Sequence, residues 1–133
     1  MNHVDVVCAV IRDQNNKIFC CKRGPGRALE GFWEFPGGKV EEHESHEETI
    51  IREIKEELES DILPIRYIGV SNYEYDNLDK PFSISLYAYE CRLIKGELKI
   101  TEHIEKTWLT VDELDNMSWA EADKPIVELI KNI

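Results

Sequence analysis

Arg52, Glu53, Glu56 and Glu57 crowd one short stretch of the chain, preceded by Glu44 and by the pair Gly37-Gly38. Carboxylates this close repel one another unless a cation lies among them. Hard oxygen donors suit Mg²⁺ or Mn²⁺ rather than a metal that prefers thiolate. With an arginine beside them, the chemistry suggested is metal-assisted attack on a phosphorylated substrate. On a helix turning by about 100° per residue, with Ile50 set at zero, Ile54, Leu58 and Ile51 fall within roughly 100° as a core stripe. Glu57, Glu53 and Glu56 follow at about 340°, 300° and 240°, a separate acidic stripe. Ser45 with Glu48 matches a capping box, which starts the helix just after Ser45. A glutamate-rich helix is most often only a solvated face; the flanking sequence changes that reading. Trp33 to Lys39 reads as a short strand broken by Pro36 and then by two glycines, a turn whose backbone can approach a ligand closely.

These residues resemble the signature of the Nudix hydrolases, G-x5-E-x7-R-E-U-x-E-E-x-G-U with U a bulky aliphatic. Gly38, Glu44, Arg52, Glu53, Ile54, Glu56 and Glu57 match it. The last two positions depart, with Glu59 for the usual Gly and Ser60 for the usual aliphatic, which bears on how the helix ends rather than on catalysis. The likeness extends over nearly the whole chain. It implies a single Nudix domain over residues 1–133, an α/β/α sandwich with a mixed central β-sheet, and hydrolysis of a nucleoside triphosphate to a monophosphate and pyrophosphate.

The resemblance also implies roles. Mg²⁺, with Mn²⁺ able to substitute, would be held by Glu53, Glu56, Glu57 and the carbonyl of Gly37, joined by Glu102. Glu53 or Glu102 would be the general base, and Arg52 would orient a helix carboxylate by a bidentate pair. Arg23, Glu34, Phe35, Pro36, Gly37, Gly38, Lys39 and Asp123 are the candidate substrate contacts. Among them, Arg23 and Lys39 are expected at phosphate, and Asp123 at the base, where related enzymes carry an amide. On residue type alone Arg23 could be a surface charge, Lys39 a partner of Glu41, and Asp123 a cap of the terminal helix. Three functions follow: sanitising oxidised purine nucleotides such as 8-oxo-dGTP, pyrophosphohydrolysis of CTP, dCTP or 5-substituted cytidine nucleotides, and a catalytically silent nucleotide-binding module. Intact Glu53, Glu56 and Glu57 weigh against the last.

The rest of the chain is that of a small enzyme. Its 133 residues are 42% hydrophobic, enough for one core. A net charge of −11 argues against nucleic-acid or anionic-membrane partners, but not against a nucleotide screened by metal. Cys8, Cys20, Cys21 and Cys91 form no C-x-x-C and sit in strand-like runs, so they are expected as buried thiols. Met1 to Asp5 lacks the apolar run of a signal peptide, and a cytoplasmic protein is expected. Strands are expected over Val4 to Arg12 and Ile18 to Arg23 as a hairpin, then Phe32 to Phe35. Ile65 to Tyr75 and Phe82 to Leu93 should pair, with Lys106 to Leu109 last. Thr110 with Glu113 repeats the capping box before a short helix, and Asp123 to Ile133 is the terminal helix with Pro125 in its first turn. Trp33 and Trp108 are expected in the core, and His43, His46 and His103 on the surface. The chain does not reveal an oligomeric state.

Overall fold

The computed structural model describes residues 1–133. Strand β1 (Asn2–Arg12) buries Val7 to Ile11 as an unbroken run because both of its faces are covered. Val7, Ala9 and Ile11 join Ile50, Ile54 and Leu58 of helix α1 (His46–Leu58) in one core cluster. Cys8 and Val10 face the other way, into a second cluster with Ile126, Val127 and Ile130 of helix α2 (Lys124–Lys131). The result is a sheet between two helical layers, the α/β/α sandwich expected. Ile51 departs from the expected core stripe and is 41% exposed, being on the margin of the apolar arc. The four thiols are free and buried, in β1, β2 (Ile18–Arg23) and β6 (Phe82–Lys95). Burial pushes each of them up from its ordinary pKa, Cys91 to about 12.

β2 has β7 (His103–Leu109) along one edge and β1 on the other, followed across the sheet by β6 and then β5 (Asp61–Tyr75). β1 runs parallel to β6 from Asn2 opposite Phe82 to Arg12 opposite Arg92, which makes the sheet mixed. The expected β1–β2 hairpin forms, yet the two strands pair only at Arg12 and Ile18. Beyond that point they splay, and residues 33–39 fill the wedge. There β3 (Trp33–Glu34) pairs with Cys21 and Lys22 of β2, and β4 (Gly37–Lys39) pairs with Val6 to Cys8 of β1.

The glycine pair is therefore strand rather than the expected turn, and neither residue has a positive φ. Glycine is required for proximity instead. A Cβ at Gly37 would collide with the Val7 carbonyl, and one at Gly38 with the Glu53 side chain.

Helix α1 begins with the expected reciprocal box: Glu48 N–H donates to Ser45 Oγ at 3.1 Å and Ser45 N–H to Glu48 Oε1 at 2.8 Å. Its end answers the departure in sequence. Glu59 takes the left-handed conformation usual for Gly (φ 50, ψ 42), and its N–H still donates to Lys55 O at 3.1 Å. Ser60 is buried, donates to Leu58 O at 2.9 Å and accepts from Leu98 N–H at 2.8 Å, so a hydroxyl ties down the helix end in place of an aliphatic. The Thr110–Glu113 box also forms, but opens only a 3₁₀ turn at Asp112–Asn116. Left-handed backbone costs a residue with a Cβ roughly 1–2 kcal/mol, partly offset by glycine's larger entropy loss. Glu59→Gly should therefore stabilise the fold by up to about 1 kcal/mol, raising the melting temperature by about 2–5 °C. A lower melting temperature would show that the Glu59 side chain contributes more than its backbone costs.

Candidate active site

Where β1 and β2 splay, a cavity of about 400 Å³ opens, within the usual range for small-molecule sites. One wall is apolar. The parallel register sets Val4 opposite Ile84 and Val6 opposite Leu86, and these side chains line the cavity with Tyr75 and Phe82. A second wall carries Glu53 and Glu57 of α1 against Gly38 and Lys39 of β4. Between them stand Arg23, Glu34, His103, Phe35 and Asp123.

Glu53 and Glu57 lie one helical turn apart on this wall. Burial, reinforced by the Glu53 charge and by the charges of Glu102 and Glu34, pushes the Glu57 carboxyl up to about 8. Arg52 braces the pair from behind. Its Nε and Nη2 donate to Glu44 at 2.7 and 2.9 Å, and its Nη1 donates to Glu53 at 2.9 Å and to Glu56 at 3.3 Å. The expected bidentate pair thus goes to Glu44, in the loop before the helix, and the helix carboxylates take the remaining nitrogen. Hydrogen bonding to Arg52, above all, holds the Glu44 carboxyl down at about 2.

The donor set fits a hard divalent cation. Two carboxylates share a wall on which burial and the Glu53 charge push the Glu57 carboxyl up, a penalty that a dication would relieve. Glu56 is 60% exposed and outside the cavity lining, and Glu102 is 52% exposed and 3.7 Å from Arg27. The structure does not bring these two onto the wall with Glu53 and Glu57.

Cys21, Glu34 and His103 also place donor atoms within 4.8 Å of one another. They fit a metal poorly, because Arg23 Nη1 already donates to Glu34 at 3.0 Å and would set a guanidinium against the ion.

Arg23 is no surface charge: its side chain is 19% exposed, and its Nε also donates to Ala28 O at 2.6 Å. Burial works against the Glu34 carboxylate, but the His103 hydrogen bond and the charge and bond of Arg23 outweigh it and hold the group below its ordinary value. Asp123 does not cap α2 through its side chain. Its Oδ2 accepts from Phe35 N–H at 3.0 Å, and burial, with the Glu34 charge, pushes its carboxyl well up. Phe35 stacks on Trp119 with ring centroids 4.7 Å apart. Pro36 is buried, its carbonyl accepting from Ala9 N–H at 2.8 Å, and does not line the cavity. Lys39 is exposed at the cavity.

Histidine placement corrects the sequence reading. His103 is buried and hydrogen-bonded to Glu34 at 2.8 Å, His46 is half-buried against Tyr87 and Tyr89, and only His43 is exposed as expected. Trp33 is buried as expected, and Trp108 is half-buried, edge-on to Phe19. Val4, Val6, Tyr75 and Arg27 were read from sequence only as strand or loop; the shared parity of residues 4 and 6 with 82, 84 and 86 was the available signal.

The chain belongs to the family of NUDIX-domain hydrolases, whose domain model matches residues 1–130. It is 31% identical over 128 residues to the CTP pyrophosphohydrolase of Escherichia coli (strain K12), covering 96% of this chain and 91% of that one. It is 27% identical over 133 residues, the whole of both chains, to the 8-oxo-dGTP diphosphatase of the same strain. Among solved structures, the DNA mismatch repair protein MutT (family Nudix hydrolase) from methicillin-resistant Staphylococcus aureus 252 is 37% identical over the whole of both chains, with a TM-score of 0.75. No helix here is long and apolar enough to cross a membrane.

The Glu57 shift makes stability depend on pH. Its folded-state pKa of about 8 lies above the ordinary 4.5, so between these values the folded protein holds a proton that the unfolded chain releases. Stability of the metal-free protein should fall as pH rises through that window, and the elevated Asp123 acts in the same direction. Glu57→Gln should flatten the slope in chemical denaturation measured without divalent ions. An unchanged slope would mean that Glu57 ionises normally.

Proposed function

We propose that this protein hydrolyses nucleoside triphosphates to monophosphate and pyrophosphate with Mg²⁺, and that its preferred substrates are oxidised purine nucleotides such as 8-oxo-dGTP. The observation that carries this reading is a single cavity lined both by the Glu53–Glu57 pair and by an apolar wall beside Asp123. Glu53 and Glu57, with the Gly37 carbonyl, would hold the metal, and Glu56 and Glu102 would join them by turning in from their exposed positions. When bound, Mg²⁺ supplies charge screening of the polyphosphate, a more electrophilic phosphorus and a more acidic water. Glu53, fixed by Arg52 and by the close Gly38 backbone, or Glu102 then takes the proton from the attacking water. Lys39 and Arg23 meet phosphate oxygens, Arg23 being held toward the cavity by Glu34.

Asp123 reads the base. An ionised carboxylate only accepts hydrogen bonds, but burial favours the protonated form, which also donates. Because Oδ2 is engaged by Phe35 N–H, the other oxygen is left to the base, and the carboxyl imitates an amide. A neutral Asp123 can donate to guanine N7 or O6, so it does not by itself exclude guanine, as an ionised one would. In its ionised form the same oxygen accepts instead from the N7–H of 8-oxoguanine or from the amino group of cytosine. The second reading, a pyrophosphohydrolase for CTP, dCTP or 5-substituted forms, is favoured by the 31% identity to the E. coli CTP pyrophosphohydrolase. We further propose that the whole chain acts as one domain.

The decisive experiment measures kcat/KM for 8-oxo-dGTP, dGTP, dCTP and CTP with Mg²⁺ and with excess chelator. Turnover should require the cation and be highest for 8-oxo-dGTP. Glu53→Gln and Glu57→Gln should each lower kcat at least about a hundredfold while remaining folded. Asp123→Asn should preserve the base ranking, whereas Asp123→Ala should compress it by about tenfold or more, the scale of one buried polar contact. Activity in chelator or an unimpaired Glu57→Gln contradicts the metal reading, and a preference for dCTP selects the second one.

A further inference from the structure

His103 opens β7 with a side chain only 2% exposed, and a ladder irregularity puts it there. Lys22 stands opposite Glu105, but Arg23 stands opposite His103, so Ile104 is an extra residue on β7. Side chains alternate along a strand. A regular ladder would set Ile104 opposite Arg23 and leave His103 on the face of Lys22. The bulge re-aims His103 to the face that carries Cys21, Arg23 and Glu34, which itself stands opposite Cys21. The segment is seated tightly: a Cβ on Gly24 would lie 2.7 Å from the Glu102 carbonyl oxygen.

At that face His103 Nε2–H donates to Glu34 Oε2 at 2.8 Å, while Arg23 Nη1 donates to Oε1 at 3.0 Å. Both oxygens of a largely buried carboxylate are thereby fixed from two different strands. The other ring nitrogen, Nδ1, is buried without a partner. An unsatisfied buried nitrogen calls for an explanation, and the explanation here is that the Glu34 bond sets the ring. Both side chains line the cavity, together with Asp123.

We propose that His103 is a positioning residue for substrate selection: its hydrogen bond fixes the Glu34 carboxylate at the nucleoside cavity, so that affinity and base preference depend on a side chain that acts through Glu34. This inference rests on the reading of the cavity as a nucleoside triphosphate site. It differs from a purely structural role in what it predicts for KM and for base ranking.

His103→Phe keeps a ring but no donor. It should raise KM for the preferred nucleotide about tenfold and flatten the base ranking, with kcat within about threefold, since a charge-assisted bond orienting a ligand contact is lost. His103→Gln, which retains an N–H donor, should recover most of both. In a Glu34→Gln background, His103→Phe should add little, because the two residues act as one unit. If His103→Phe does not fold, His103→Asn, whose shorter amide falls short of Glu34, is read against His103→Gln by the same criteria. Unchanged KM and ranking with a lowered melting temperature, or losses additive with Glu34→Gln, would overturn the proposal. Dissociation constants for non-hydrolysable analogues of the same triphosphates keep the two readings apart. Absent turnover contradicts the functional reading alone, and equal affinities in wild type and His103→Phe contradict the role of His103.

Discussion

Two glutamate side chains one helical turn apart, the first of them pressed against a glycine backbone, repel one another, and much of the site is arranged around that repulsion. Glu57 responds by holding its proton to about pH 8, and Glu53 by leaning on Arg52. Arg52 is in turn anchored bidentately by Glu44, so one guanidinium joins the loop before α1 to the acidic wall. Gly38 completes the arrangement by leaving room for Glu53 that any Cβ would fill. A structure assembled for stability alone would have little reason to keep like charges on a buried wall. One that receives a divalent cation has every reason to do so.

The sheet supplies the second element. Because β1 and β2 pair only at their hairpin end, residues 33–39 wedge between them and bring β4 to α1 while β3 stays with β2. The wedge carries Glu34 and Phe35 to the side of Asp123 and Gly38 and Lys39 to the acidic side, so one short segment spans both parts of the cavity. On the Asp123 side, two buried carboxyls behave oppositely for physical reasons. Glu34 gains donors from Arg23 and His103 and stays ionised, whereas Asp123 has only the Phe35 N–H and is driven toward its neutral form.

Much of this was legible in the chain. The capping box at Ser45, the apolar stripe through Ile50, Ile54 and Leu58 but not Ile51, and the strand-forming runs of β1 and β6 are local patterns, and they fold as read. The acidic stripe was visible because Glu53 and Glu57 share a helical face. What escaped depends on contacts distant in sequence. Gly37 and Gly38 look like a turn in one dimension, yet serve as strand, because Val7 and Glu53 approach them from elsewhere. His103 looked like a surface residue because nothing in Thr101 to Ile104 announces a bulge. The upward push on the Asp123 carboxyl likewise comes from burial, which its own neighbourhood in sequence does not disclose.

The central claim is that the Glu53–Glu57 wall is built to receive a divalent cation, and proton release on metal binding tests it most directly. Isothermal titration of the nucleotide-free protein with Mg²⁺ or Mn²⁺ near pH 7, in buffers of differing ionisation enthalpy, counts the protons displaced. With Glu57 mostly protonated beforehand, binding should release close to one proton per protein, about what a ligating carboxyl of this pKa must give up. In Glu57→Gln the release should vanish. Tight binding without proton release, or release that persists in Glu57→Gln, would contradict the account.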